Sequence, residues 1–197
     1  MKRGIRADFN LISLLLIPVG VAINMVGFQI TNLLKLPIFL DTIGTILIAV
    51  IAGPWVAICA GIVTNLINAI FNPTFFPYVL TSIAIGLVVG YLAKYKMFTK
   101  AWKVVISGLI VTIVAMVVSA PITVYVFGGA GGSGASLLTA TFLAAGQQLW
   151  SAVLSSSLIS EIADKLISVF ICYFIVKSMS ERYLSKLKYG HLYMKQK

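Results

Sequence analysis

An all-α, polytopic membrane protein is the fold class this chain predicts, on two observations. Hydrophobic residues make up 60% and charged residues 10% of its 197 positions, with a mean hydropathy of +1.04. Soluble domains carry about a quarter charged residues. The second observation is charge placement: of 15 Lys and Arg residues, all but Lys35 and Lys165 fall in three clusters. These are Lys2, Arg3, Arg6; Lys94, Lys96, Lys100, Lys103; and Lys177, Arg182, Lys186, Lys188, Lys195, Lys197. Together they predict one integral membrane domain over 1–197, with six transmembrane helices and both termini cytoplasmic, since that topology puts every cluster inside.

The first apolar run, 10–33, is long enough for a hydrocarbon core that needs about 20 residues. The basic stretch before it resembles the start of a signal peptide, but no small-residue cleavage site follows, so we expect a retained helix. Gly53-Pro54 breaks the next apolar stretch. Reading it as a turn divides that stretch into helices at 40–52 and 55–71 and keeps the second and third basic clusters inside; reading it as continuous helix puts them outside. Both helices are short for a crossing, which predicts a concavity at the outer end.

On the third helix Gly61, Asn65, Asn68 and Asn72 share one face. Amides there must pair with a neighbouring helix or line a cavity. Asn65 fits either role, and Asn68 and Asn72 favour the cavity. Asn72-Pro73-Thr74-Phe75-Phe76-Pro77-Tyr78 reads as a stiff external loop leading to a helix at 78–93. A fifth helix is expected at 104–126, then an external Gly-rich loop at 128–134, a lid or a plain linker. It lacks the GxxxxGK[ST] spacing of a phosphate cradle. Residues up to Trp150 are expected at the outer interface, and a sixth helix at 156–176.

That last helix carries Glu161, Asp164 and Lys165 within an apolar stretch. Charges at such depth face the bundle interior or water. Glu161 and Lys165 stand at i, i+4, so the trio either pins the helix to its neighbours or, with Asp41 and the Asn face, lines a polar pocket open to the outside. An intramembrane hydrolase using Asp41 and Asp164 needs carboxylates sharing a proton; a sensory domain and a proton-coupled carrier are further alternatives. The net charge of +10 is assigned to orientation and to attraction for anionic lipid of the bilayer, with no nucleic-acid partner. Cys59 and Cys172 have no metal-ligand spacing, and no metal site is expected.

Leu40-Asp41-Thr42-Ile43-Gly44-Thr45, Gly53-Pro54-Trp55, Thr64-Asn65-Leu66-Ile67 and Asp164-Lys165-Leu166-Ile167-Ser168, in this order over six short helices, resemble the S components of energy-coupling factor (ECF) vitamin transporters. The resemblance covers nearly the whole chain. It implies a non-enzymatic, high-affinity binding subunit in a bacterial cell membrane, which takes a water-soluble vitamin or precursor from outside. The subunit would then dock on a transmembrane coupling protein with two ATPase subunits and topple to release its ligand. ATP would serve the partners, and no cofactor is expected in this chain. The family often docks through an Ala-xxx-Ala pattern on the first helix; this one offers Gly20, Asn24 and Gly27 instead. Expected substrate contacts are Asp41, Asn68, Asn72, Tyr78, Gln147, Trp150, Glu161 and Asp164, with an aromatic stacking on a flat ring; Lys165 is a ligand contact or a salt-bridge partner. Carboxylates suit donors or partial positive charge, which favours pyridoxine or hydroxymethylpyrimidine over pantothenate, with cobalamin and others open.

Overall fold

The structure is a computed structural model describing residues 8–129 and 134–194; the expectations resting on 1–6, on 130–133 of the Gly-rich loop and on Lys195 and Lys197 lie outside the described residues. Among those described, every regular element is helical. α1 (Leu11–Leu33) starts where the Asn10 side chain accepts the Ser13 N–H at 2.7 Å, satisfying one of the donors a helix start leaves open. After a loop over 34–42, α2 (Ile43–Ile51) and α3 (Pro54–Phe71) follow, separated by Gly53. Gly53 has φ +105° and Pro54 occupies the first turn of α3, so the chain reverses through a conformation open to glycine and re-enters a helix where proline loses nothing. A 3-10 turn (Pro73–Phe75) leads to α4 (Val79–Lys94) and α5 (Ala101–Tyr125). Then come α6 (Gly134–Ala144), α7 (Leu149–Ser178) and the short α8 (Glu181–Leu184).

Three helices, α1, α3 and α5, are long and apolar enough to cross a membrane. α7 is longer, at 30 residues, but carries the three ionisable side chains at its middle. Large apolar residues point outward along the long helices, among them Leu15, Val26 and Ile30 on α1 and Ile113 and Val117 on α5, while Asn24, Thr45, Thr64, Asn65, Ser107 and Thr112 are buried. Lipid is as apolar as leucine, so packing is left to small and polar residues inside the bundle.

All nine residues of α2 are buried, with α1, α3, α4 and α7 around it. At about 1.5 Å per residue it rises roughly 14 Å, half the hydrocarbon thickness. Its start has no side-chain cap of its own. Asn24 of α1 supplies one: its Oδ1 accepts Gly44 N–H (2.7 Å) and Thr45 N–H (3.3 Å), and its Nδ2 donates to Thr45 Oγ1 (2.9 Å) and Thr64 Oγ1 (3.0 Å). One amide thereby ties three helices and fills all its hydrogen-bonding capacity.

The backbones of α1 and α2 cross at Gly20 and Gly44, where a Cβ on Gly44 would overlap the Gly20 carbonyl. Gly44→Ala is expected to lower stability by about 1–3 kcal/mol, since the clash is with backbone and no side chain can yield. Thermal unfolding in detergent measures it, and an unchanged midpoint would contradict the close crossing. Gly20, Asn24 and Gly27, expected as a docking surface, are all buried: Gly27 lies against the Leu40 carbonyl, and the small-residue stripe faces α2 and its entry loop. Small residues on a membrane helix mark close packing, and here the packing partner is intramolecular.

The stretch after the Gly-rich loop also differs from expectation. It forms a separate helix, α6, packed on α7, and α7 starts at Leu149 instead of near 156. Gly146, at φ +86°, breaks the helix between them, and beyond it no glycine or proline interrupts the run.

Opposite the α2 entry, Asp8 is tied to the segment that follows α8. Asp8 pairs with Lys188 and accepts from Tyr189 Oη at 3.3 Å, and the Tyr189 N–H donates to the Ile51 carbonyl at 3.2 Å. Burial, with the Asp8 carboxylate beside it, pushes the Tyr189 phenol up to about 12, so it stays a donor at neutral pH. Lys94, Lys103, Lys177 and Lys188 rest against aromatic rings at this same end.

Candidate functional site

A cavity of about 280 Å³ lies above the start of α2, enclosed by the 34–42 loop, the α3–α4 turn, the ends of α4 and α5, and α6 with α7. The space exists because α2 stops short: its first residue is Ile43, and the chain above it is the irregular loop that contributes Phe39, Asp41 and Thr42 to the wall. One side is aromatic. Phe28 and Phe75 meet edge to face at 4.7 Å, and Tyr78 stacks on Phe127 at 5.8 Å while its hydroxyl bonds Thr123 Oγ1 at 2.8 Å.

The other side is a polar stripe of α7. Ser157, Glu161 and Lys165 repeat at i, i+4 and i+8, which puts them one above another on one helix face, and all three line the cavity. Lys165 Nζ lies 3.2 Å from Glu161 Oε2, pairs with Asp164 Oδ2, and donates to Thr42 Oγ1 at 3.4 Å. An ammonium has three donors. Each faces a protein group, so Lys165 is held as an ion-pair partner. Asp164 is fully buried at 0% exposure and takes no part in the wall; its Oδ1 accepts the N–H groups of Phe39 (3.2 Å) and Leu40 (2.6 Å). Both oxygens of Asp164 are thus engaged by groups other than Asp41, whereas a hydrolytic dyad needs two carboxylates facing each other.

Asp41 lines the cavity and joins none of the ion pairs among the described residues. Asp41, Glu161, Asp164 and Lys165 interact electrostatically as a local group of three carboxylates and one cation. Its surplus charge is negative, and Asp41 and Glu161 are the acids that reach the cavity.

Of the other residues expected at the site, Asn72 and Tyr78 reach the cavity. Asn72 Oδ1 also caps the following turn through Thr74 N–H (3.1 Å) and Thr74 Oγ1 (2.8 Å). Asn65 combines both roles foreseen for it: it lines the cavity, and its Nδ2 donates to Ser82 Oγ (2.6 Å) on α4 and to the Gly61 carbonyl (3.0 Å). Asn68, Gln147 and Trp150, also expected as contacts, do not line this cavity. Asn68 is buried with an unpartnered Nδ2. Gln147 accepts from Ser151 Oγ at 3.3 Å outside the cavity, and Trp150 packs edge to face on Tyr125 at 5.4 Å, 40% exposed. Trp150 lies in the first turn of α7 and Gln147 just before that helix begins. Thr42, Ser82, Ser119, Thr123 and Ser157 also line the cavity without having been expected there; the i, i+4 spacing of Ser157 with Glu161 was the available signal.

An apolar exterior, a helical bundle and a buried polar chamber at one end define a multi-pass membrane protein built to hold a small solute. The sequence matches the profile of the ECF transporter substrate-specific component over residues 13–176, and the chain belongs to that family. It is a substrate-binding transport subunit and not an enzyme, and it associates with the coupling and ATPase subunits of an ECF module. No curated protein and no solved structure matched the chain significantly.

Proposed function

We propose that the chain captures a water-soluble vitamin or vitamin precursor on the outer face of a bacterial cell membrane and delivers it inward by toppling on an ATP-driven coupling module. It does so as a six-crossing protein with both termini cytoplasmic. Three crossings are α1, α3 and α5; α4, α7 and the short α2 with its entry loop make up the rest. The clustering of Lys94, Lys96, Lys100, Lys103, Lys177, Arg182, Lys186 and Lys188 at the end away from the cavity supports this orientation.

The observation that carries the reading is the chamber itself, walled by aromatic rings on one side and by Glu161 and Asp41 on others. Pockets for drug-sized ligands run from roughly 300 to 1,000 Å³, so about 280 Å³ suits a ligand of one ring. A corrinoid such as cobalamin is far larger. With Lys165 engaged by Asp164, Glu161 and Thr42, an anion such as pantothenate finds no free ammonium in the chamber among the described residues. Donor groups or positive charge on the ligand match the two acids, which supports pyridoxine or hydroxymethylpyrimidine.

Native mass spectrometry of the purified chain is expected to find a bound heterocycle of one ring, and calorimetry with pyridoxine and with hydroxymethylpyrimidine to show saturable binding that pantothenate does not compete. A chain that arrives empty and gives no heat with any vitamin would sink the proposal.

A further inference from the structure

The residue that organises the chamber without reaching it is Asp164. Its carboxylate is wholly buried under the floor, and its two oxygens face in two directions. Oδ1 takes the backbone N–H groups of Phe39 and Leu40, and Oδ2 takes Lys165. The loop so gripped is unusual in itself: Lys35 and Leu40 stand at φ 50° and 51°, left-handed positions that side-chain-bearing residues keep only when surrounding contacts impose them. Other ties to this segment come from Thr31 Oγ1, which donates to the Phe39 carbonyl at 2.9 Å, and Lys165, which reaches Thr42 at 3.4 Å. Among the described residues, Asp164 is the acceptor for the backbone donors at the strained Leu40 and the preceding Phe39, and Asp41 follows directly.

We infer that Asp164 is a positioning residue: it clamps the backbone at Phe39 and Leu40 and holds Lys165, so that Asp41 and Glu161 are the acids presented to the ligand. A backbone N–H that loses its acceptor away from water is costly, so the clamp supports the loop's conformation as well as charge balance. The inference gives a mechanical role to a residue otherwise expected to touch substrate. Its significance rests on the proposed chamber, but its test needs no ligand.

The test is amide hydrogen exchange at Phe39 and Leu40 in the ligand-free chain in detergent, comparing wild type, Asp164→Asn and Asp164→Leu. Asparagine keeps an oxygen where Oδ1 stands and leucine does not. Asp164→Asn is expected to exchange within about fivefold of wild type at both amides, and Asp164→Leu about thirtyfold or more faster, with the amides of α3 and α5 unchanged in both. Should the leucine variant not fold, Asp164→Ala, a good helix former, supplies the same comparison. The inference is overturned if removal of the oxygen leaves both amides within about fivefold of wild type, or if the asparagine variant exchanges as fast as the apolar one. Rescue by asparagine separates the clamp from a general need for a buried charge. If the clamp holds and no vitamin binds, the transport reading fails while the positioning role stands.

Discussion

Lys165→Met is expected to be the most destabilising single change in the chain, costing about 3–5 kcal/mol. The substitution removes the cation between Glu161 and Asp164 while keeping a similar side-chain volume, and both carboxylates are left buried, their residues at 5% and 0% exposure. The loss comes less from the attraction itself, which roughly offsets the desolvation of the partners, than from leaving charges with nothing to compensate them. The triple variant Glu161→Gln, Asp164→Asn, Lys165→Met removes every charge of the trio at near-constant shape and is expected to recover most of the loss. Unfolding midpoints of the two variants in the same detergent provide the measurement. If Lys165→Met unfolds like wild type, the ion-pair network is not what holds α7 against the 34–42 loop.

Glu161→Gln is the second large effect and falls on binding. Lys165 retains Asp164 and Thr42 as partners, so the fold is expected to survive with its unfolding midpoint nearly unchanged. The ligand loses a charge-assisted partner, expected to weaken affinity about 10- to 100-fold. Gln147→Ala and Trp150→Ala serve as controls, since both residues stand outside the cavity and are expected to leave affinity within about twofold. Equilibrium binding of the ligand identified by mass spectrometry measures all three. A loss of affinity at Trp150 matching that at Glu161 would mean that the ligand sits elsewhere, toward the start of α7.

What could be read from the chain beforehand depended on how locally each feature is encoded. Glu161 and Asp41 were legible because an acid in an apolar stretch has few places to go. Thr42, Ser119 and Thr123 were not, because hydroxyls in membrane helices satisfy themselves: Thr123 donates to the Ser119 carbonyl at 3.0 Å, as Thr64 does to Ala60 at 2.8 Å. Such residues can face lipid or a cavity at similar cost, and sequence does not choose between them. The intramolecular role of Asn24 was not legible for a related reason. Its neighbours Gly20 and Gly27 announce a close approach, but a pattern on one helix carries no record of whether the partner is another protein or the next segment of the same chain.

Composition and the spacing of the lysines determined by themselves that this is a helical protein of the membrane, since apolar content and charge clustering answer directly to lipid. Order along the chain then pointed to its family. Only the tertiary structure decided which acids face the chamber. Asp164 and Glu161 are three residues apart on the same helix, yet one is turned onto the amides of Phe39 and Leu40 and the other toward the cavity. That division depends on where a loop from more than a hundred residues earlier comes to rest, and short-range patterning contains no information about it.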